Sequence, residues 1–311
     1  MALFPRPILI NGATHGADQF RLLVRDLARD AEGITRGTDL KVTQRSTPGA
    51  GVTVGDGSAV IKGRVSAFQG HYSACNTGAF DVDIASTGGS GRSDMLILRV
   101  EDPQYEGVVN PATGNVAYFQ IISNVSSSAT AIPDGRTGIP LARIDIPAST
   151  STITNAMIVD LRQIANPRRD RSQFIHSPAS LSTAINNNNS SYSYFSTEAG
   201  WNVPVPAWAS KAIITIDVAQ IRYSVAAFFG LLRATFGASL SLQAVTLDDN
   251  QTAVRRATMF VSDTLTIPDA YRGTSQLLRP QAAGASGNTG TVQVDGSATF
   301  RYDVEFIEAP R

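Results

Sequence analysis

The sequence predicts a mainly β protein: an N-terminal β-rich domain carrying one amphipathic helix, a polar linker, and a C-terminal antiparallel β-sandwich of jelly-roll type. Three observations lead there. Apolar and polar residues alternate with period two over much of the 311-residue chain. Turn formers, among them 26 Gly and 15 Pro, break that alternation into short segments. Helical spacing is confined to one stretch near the start. The length suffices for two domains with separate cores. The expected boundaries are residues 1–167 for the first domain, 168–200 for the linker and 201–311 for the sandwich.

The helix comes first. Phe20, Leu23, Val24, Leu27, Ala28 and Ala31 recur at three- and four-residue spacing, with Arg21, Arg25, Asp26 and Arg29 on the other side. Asp18 is the expected N-cap and Gly33 the expected stop. After Gly37 the period becomes two. Leu40 and Val42, Val52 and Val54, and Val60 to Val65 read as short strands between Pro48-Gly49 and Gly55-Asp56-Gly57 turns. Phe80, Val82 and Ile84 alternate with Asp81 and Asp83, as a half-buried strand requires. Met95 to Val100 is continuously apolar apart from Arg99, which suits a strand buried on both faces. Val116 to Ile122 and Leu141 to Ile146 complete this domain.

Composition changes at Pro167-Arg168-Arg169-Asp170-Arg171 and stays polar through Asn186-Asn187-Asn188-Asn189. Such a stretch buries too little apolar surface to order itself alone, and Ser180 to Ile185 is its one candidate helical turn. From Trp201 onward alternation returns. Ile214, Ile216 and Val218 face one way, opposite Ile213, Thr215 and Asp217. Phe300, Tyr302, Val304 and Phe306 alternate with Thr299, Arg301, Asp303 and Glu305. Between them, Leu240 to Leu247, Val254 to Val261, Leu265 to Ile267 and Thr291 to Val294 supply further strands.

Charge bounds the partners. Basic and acidic residues number 26 each, so the counterion release that drives nucleic-acid binding has no source. Only three of the basic residues are lysines (Lys41, Lys62 and Lys211); arginine tolerates buried interfaces better, and a GC-rich genome gives the same bias without physical selection. Charged residues reach only 17% of the chain, which suits surfaces covered by neighbours. Cys75 stands alone and reads as a small buried hydrophobe, without a disulfide. The segment from Met1 to Pro7 lacks a signal-peptide layout, and no apolar run is long enough for a membrane helix. Synthesis in the cytoplasm follows as the expectation.

Catalytic signatures are missing. His15, His71 and His176 lie in no metal-ligand spacing, so neither a metal nor another cofactor is expected. Gly88-Gly89-Ser90-Gly91-Arg92 fails the nucleophile-elbow pattern at its last position. Paired carboxylates at Asp81/Asp83 and Asp248-Asp249 could serve glycan hydrolysis, but a solvent face and a turn account for them equally simply. No catalytic residue is assigned, and the chain is not expected to be an enzyme. Tyr192, Tyr194 and Trp208 could stack on the apolar face of a sugar, with core packing as the commoner fate for such rings. Trp208, following Val203-Pro204-Val205-Pro206-Ala207, reads first as a plug at one end of the sandwich.

Four segments resemble minor tail or baseplate proteins of siphophages that infect actinobacteria. They are Asn11-Gly12-Ala13-Thr14-His15-Gly16-Ala17-Asp18-Gln19-Phe20, then Val54-Gly55-Asp56-Gly57 through Gly63. Third comes Arg92-Ser93-Asp94-Met95 through Glu106-Gly107, and fourth Gly138-Ile139-Pro140-Leu141-Ala142-Arg143 through Ala148 with Ile153 to Arg162. The resemblance implies a virion protein of the tail tip, whose first half docks into the tail and whose second half faces outward. It implies partnership with copies of the chain, as a homotrimer or ring, and with other tail proteins. Attachment to a host-surface glycan is the alternative function, and a wall or capsule hydrolase the remote one.

Overall fold

Alternation of period two becomes antiparallel pairing: among the described residues every ladder between strands is antiparallel. The computed structural model describes residue 8 and residues 10–311; the signal-peptide reading of Met1 to Pro7 lies outside them. The expected fold class, mainly β with one helix, is what the chain adopts. It forms two compact units. Unit 1 holds the residues up to Pro167 together with Ala309–Arg311, and unit 2 is Arg168–Glu308.

Unit 1 opens with α1 (Ala17–Leu27), followed by β1 (Gly33–Ile34), β2 (Val42–Gln44), β3 (Gly51–Val54) and β4 (Gly57–Lys62). Next come β5 (His71–Asn76), β6 (Phe80–Asp83), β7 (Arg92–Val100), β8 (Ala117–Val125), β9 (Gly138–Ile146) and β10 (Ile158–Asp160). They form three sheets, ordered β1-β4-β5, β2-β3-β6 and β10-β9-β7-β8. The apolar run of β7 lies between β8 and β9 and is buried on both faces, as its sequence requires. Leu96, Leu98, Leu141, Ile144, Val52 and Ile61 meet in one core.

The helix departs from its sequence pattern. Its N-cap is Gly16, whose N–H donates to the Gln19 side chain, and Asp18 sits in the first turn. It ends at Leu27, because Arg29 and Asp30 turn into positive φ well before Gly33. The most buried helical side chain is Arg21, while Phe20 is 48% and Leu27 71% exposed. Periodicity locates an apolar stripe but cannot say which side of the helix finds a partner. Here a carboxylate, carbonyls and aromatic rings capture the arginine. Arg21 Nε donates to the Gln69 carbonyl at 2.8 Å, Nη2 donates to Gln104, and Nη1 pairs with Asp102 at 3.2 Å. Tyr72 and Tyr105 lie against the guanidinium. Cys75 also departs from expectation, being exposed on the edge strand β5.

Unit 2 contains β11 (Arg169–His176), β12 (Ser193–Tyr194), β13 (Trp201–Pro204), β14 (Lys211–Ser224), β15 (Phe228–Phe236) and β16 (Leu240–Ser241). It continues with β17 (Val245–Asp249), β18 (Arg255–Thr266), β19 (Ser275–Gly284), β20 (Thr291–Gln293) and β21 (Thr299–Ile307). One sheet runs β11-β21-β14-β18, with β20 extending the end of β14. In the second, β19 pairs with β15 at the centre, flanked by β12 and β13 on one side and β16 and β17 on the other. Both sheets bury one face in a single core that takes Ile214, Ile216 and Val218 from β14 and Phe300, Tyr302, Val304 and Phe306 from β21. The predicted alternation in these two strands is borne out residue by residue.

Other expectations change. The two strands expected at Val254 to Val261 and Leu265 to Ile267 are one, β18, because β14 pairs along its length. Residues 180–185 form no helical turn; Ser182 and Ile185 donate to the carbonyls of Val294 and Val292. Polar residues 169–176 form the edge strand β11, where Arg171 sits beside Asp303 and Arg169 beside Glu305. Charges that look solvated in one dimension are cross-strand pairs in three.

Candidate functional site

The outer face of the second sheet in unit 2 gathers the exposed aromatic residues of the polar stretch. In β15, Leu232 and Ala234 point into the core, so Arg233 points out; in β19, Leu278 and Pro280 do the same for Arg279. Gln281 lies between them in register, opposite both Arg233 and Tyr194. Turned with its amide oxygen towards Arg233, it accepts from Nε at 2.9 Å and from Nη2 at 3.1 Å. Outward-pointing Gln281 is nevertheless buried: β12 pairs alongside it, Arg233 bonds its amide, and the Tyr192 ring lies on Arg233.

The segment leading into β12 is fixed at Asn187 by hydrogen bonds to Gly284 and Asn288. The Asn187 side chain accepts from the Gly284 N–H at 2.6 Å, and its carbonyl accepts from Asn288 Nδ2 at 2.9 Å. Gly284 is required here: a Cβ would sit 1.7 Å from the Asn187 carbonyl oxygen. The segment then lays two rings on the two arginines. Arg233 Cζ stands 3.7 Å from the centre of the Tyr192 ring, and Arg279 Cζ 4.3 Å from that of Tyr194. The Tyr194 hydroxyl bonds Thr235 Oγ1 at 3.1 Å, while Arg279 Nε donates to the Ser196 carbonyl at 2.7 Å. Burial draws the Arg279 pKa below the ordinary arginine value, without discharging it. Tyr192 is half-buried and Tyr194 is 41% exposed, so a guanidinium-backed ring faces solvent.

Trp208 does not join this platform. It belongs to the turn before β14, in the other sheet, and packs against the core. Arg168 lies 5.2 Å over its ring and makes a bidentate pair with Glu308, at 2.8 Å for each oxygen. Of the three aromatic candidates, the fold therefore unites Tyr192 and Tyr194 and sets Trp208 apart. Arg233, Arg279 and Gln281 are the members that sequence reasoning missed. The alternation Leu232-Arg233-Ala234-Thr235-Phe236 is the signal that marks Arg233 as outward.

Three of the four candidate hydrolytic carboxylates are tied to neighbours. Asp83 accepts from Arg45 at 2.6 Å, and Asp81 accepts from Thr53 Oγ1 at 2.6 Å. Asp249 pairs with Arg255 at 3.0 Å; burial works against its charge, but Arg255 and the Gln251 N–H hold its pKa below the usual carboxylate range. For Asp249 that is the opposite of the shift a general acid needs. Unit 1 has a cleft of about 350 Å³ lined by Ile132, Ile139, Leu161, Arg64 and Arg136. Its two arginines already bind Glu32 and Asp134.

No family model matches the chain, and no curated protein does. Similar solved structures include one of the infectious bursal disease virus Gx strain, 12% identical with a TM-score of 0.29, covering 89% of this chain and 67% of that one. The VP2 subviral particle of the same virus is 10% identical with a TM-score of 0.26, over 90% of this chain and 79% of that one. A Bacillus thuringiensis Cry1Da tryptic core variant is 11% identical with a TM-score of 0.17, over 98% and 57%. At such identities and scores, no function passes from these proteins to this chain.

Proposed function

We propose that this chain is a structural subunit of a virus particle, a minor tail or baseplate protein of an actinobacterial siphophage that works by assembly. The observation that carries the reading is the uncovered stripe on α1. Phe20 and Leu27 are largely exposed, and Leu23 and Val24 between them are half-buried. A helix on a monomer's surface turns such a stripe inward; one left outward suits a neighbouring subunit. The four sequence segments that resemble tail proteins support the same reading, and α1 begins in the first of them. Unit 1 then docks to other tail proteins and unit 2 faces the host, in a homotrimer or ring of copies. Localisation is the tail tip.

Purified particles test this directly. The chain is expected at a defined copy number and position by mass spectrometry and antibody labelling. A chain carrying Phe20→Ser with Leu27→Ser is expected to fold normally yet fail to enter particles. Particles that lack the protein altogether would end the reading.

The Tyr194 ring, backed by Arg279 and open to solvent, favours a second reading for unit 2: recognition of a host-surface glycan by stacking. Cell-wall polysaccharide is expected to bind the intact chain and to bind Tyr194→Ala at least about tenfold more weakly. Equal binding by both would clear the platform of that role.

A further inference from the structure

Arginines of unit 2 ordinarily meet a carboxylate: Arg168 meets Glu308, Arg255 meets Asp249 and Arg272 meets Asp269. Arg233 and Arg279 differ. Arg233 is held by the Gln281 amide oxygen and the Tyr192 ring, Arg279 by the Ser196 carbonyl and the Tyr194 ring. Among the described residues no carboxylate pairs with either. Every one of these contacts is to a neutral group, so both charges stand. The two cations are also neighbours. Gln281 lies opposite Arg233 and Arg279 lies opposite Thr235, which makes the arginines a diagonal pair on one face, roughly 7 Å apart at Cβ. Nearby carboxylates do not relieve them. Asp248 shares the face but lies opposite Phe229, four residues along β15 from Arg233 and so about 13 Å away. Glu198 accepts instead from the Ala179 N–H. Like charges this close on a half-buried surface repel, and a bound anion removes that repulsion.

We infer that this face binds an acidic sugar, with the sugar's apolar side on the Tyr194 ring and its carboxylate or phosphate at the Arg279 guanidinium. The inference rests on the glycan reading above and adds the charge of the ligand. Arg279 has donors to give, because the chain uses only its Nε. Its two terminal nitrogens bond nothing among the described residues and are not buried. A planar guanidinium with free terminal donors is the group that carboxylates and phosphates accept from most strongly. Tyr194 is set to match. Its hydroxyl is tied to Thr235 Oγ1, which fixes the ring against the guanidinium with 41% of the residue open. A cation behind one face of a ring draws on the negative charge that the opposite face would offer to the C–H bonds of a neutral sugar. Stacking alone is thereby weakened, and the positive charge beneath favours a sugar that brings an anion. An acidic peptide would satisfy the arginines but leave the flat ring unused.

Matched pairs of probes test this on the full chain, with affinities read by ligand-observed nuclear magnetic resonance at low salt. Oligogalacturonate and its methyl ester share a backbone and differ in charge; mannose 6-phosphate and mannose form the corresponding pair for phosphate. In at least one pair the acid is expected to bind about tenfold or more tightly than its neutral partner, with the margin shrinking at high salt. A preference in either pair supports the inference and names the anion. Arg279→Gln is expected to remove the margin and Arg279→Lys to restore part of it, with circular dichroism and tryptophan fluorescence reporting that the fold is kept. The comparison on the unmutated chain stands even if a variant fails to fold. Equal binding of acid and neutral partner in both pairs overturns the inference and leaves the glycan reading standing. Binding of none of the four overturns it as well, while the wall-polysaccharide experiment decides the glycan reading separately. A margin that survives both Arg279→Gln and Arg233→Gln places the anion elsewhere and overturns the site. Oligoglutamate that binds as tightly as oligogalacturonate, and no less tightly to Tyr194→Ala, overturns the sugar.

Discussion

The two units reach order by different routes. Unit 2 closes two sheets over one large apolar core, and its strands advertise that core by strict alternation. Unit 1 has three smaller sheets, the longest of whose strands have 9 residues, and ties its segments together with buried arginines. Arg21 joins the helix to the loops at Gln69 and Asp102. Arg162 spends all of its donor positions. It pairs with Asp160 at 2.9 and 2.7 Å and donates to the main-chain oxygens of Asp39, Gly37 and Arg311. Arg311 N–H in turn donates to the Gly37 carbonyl at 2.8 Å, so the last residues of the chain are built into unit 1. Where strands are too short to carry a deep apolar core, a planar five-donor cation that collects carbonyls from distant segments does the joining.

Four perturbations sharpen or break that contrast. The largest is expected from Phe300→Ala, which empties a fully buried position in unit 2 and costs about 3–5 kcal/mol. Both tryptophans, Trp201 and Trp208, lie in unit 2, so their fluorescence follows that unit's unfolding in urea. A matching loss in unit 1, followed by hydrogen exchange, would show that the two cores are not independent. Next is Arg162→Met, which removes the guanidinium donors to the Asp39 and Arg311 main-chain oxygens, leaves Gly37 only the bond from the Arg311 N–H, and is expected to cost roughly 2–3 kcal/mol. Hydrogen exchange is expected to quicken around Gly37 and Asp39 with the tryptophan transition unmoved; a shifted tryptophan transition would contradict the contrast.

Gly284→Ala is expected to cost about 1–3 kcal/mol, since the added methyl meets the Asn187 carbonyl and displaces the segment that leads into β12. The sharper readout is Tyr192, half-buried against Arg233, whose ring should lose that contact and nitrate faster. The smallest effect concerns acid. The Arg171 guanidinium holds Asp303 below the usual carboxylate range, and Arg256 does the same for Asp295. A carboxylate whose folded pKa is depressed stabilises the fold above its unfolded pKa of about 4, and that contribution disappears as pH falls through the folded value. Unit 2 is therefore expected to lose stability below about pH 4, and Asp303→Asn should flatten the slope of the tryptophan transition against pH. An unchanged slope would remove Asp303 from the account. Arg143 depresses Asp145 in the same way in unit 1, so acid alone does not separate the units.

Legibility in the sequence tracked the same division. β14 and β21 could be read residue by residue, because each has one face in the core and one in water. β15 and β19, the central pair of the second sheet, were passed over. Their runs of Ala, Gly and Pro280 weaken the alternation, and β19 is buried on both sides from Pro280 to Gly284. β11 looked like linker because its charges find their partners about 130 positions away, as Arg171 does in Asp303. Of the aromatic candidates, Tyr192 and Tyr194 were visible as residues, but the arginines beneath them were not. Nothing local links position 192 to 233 or 194 to 279.

By itself the sequence determined the class of the protein, because the side-chain period is a property of the strand alone and survives without knowledge of its neighbours. It also determined which strand faces are apolar in β7, β14 and β21. Tertiary structure alone decided which side of α1 is buried, which polar residues become ion pairs, and which strand edges remain open. Those outcomes depend on long-range partners: a guanidinium goes inside when carbonyls, a carboxylate and rings converge on it, and stays in water when they do not.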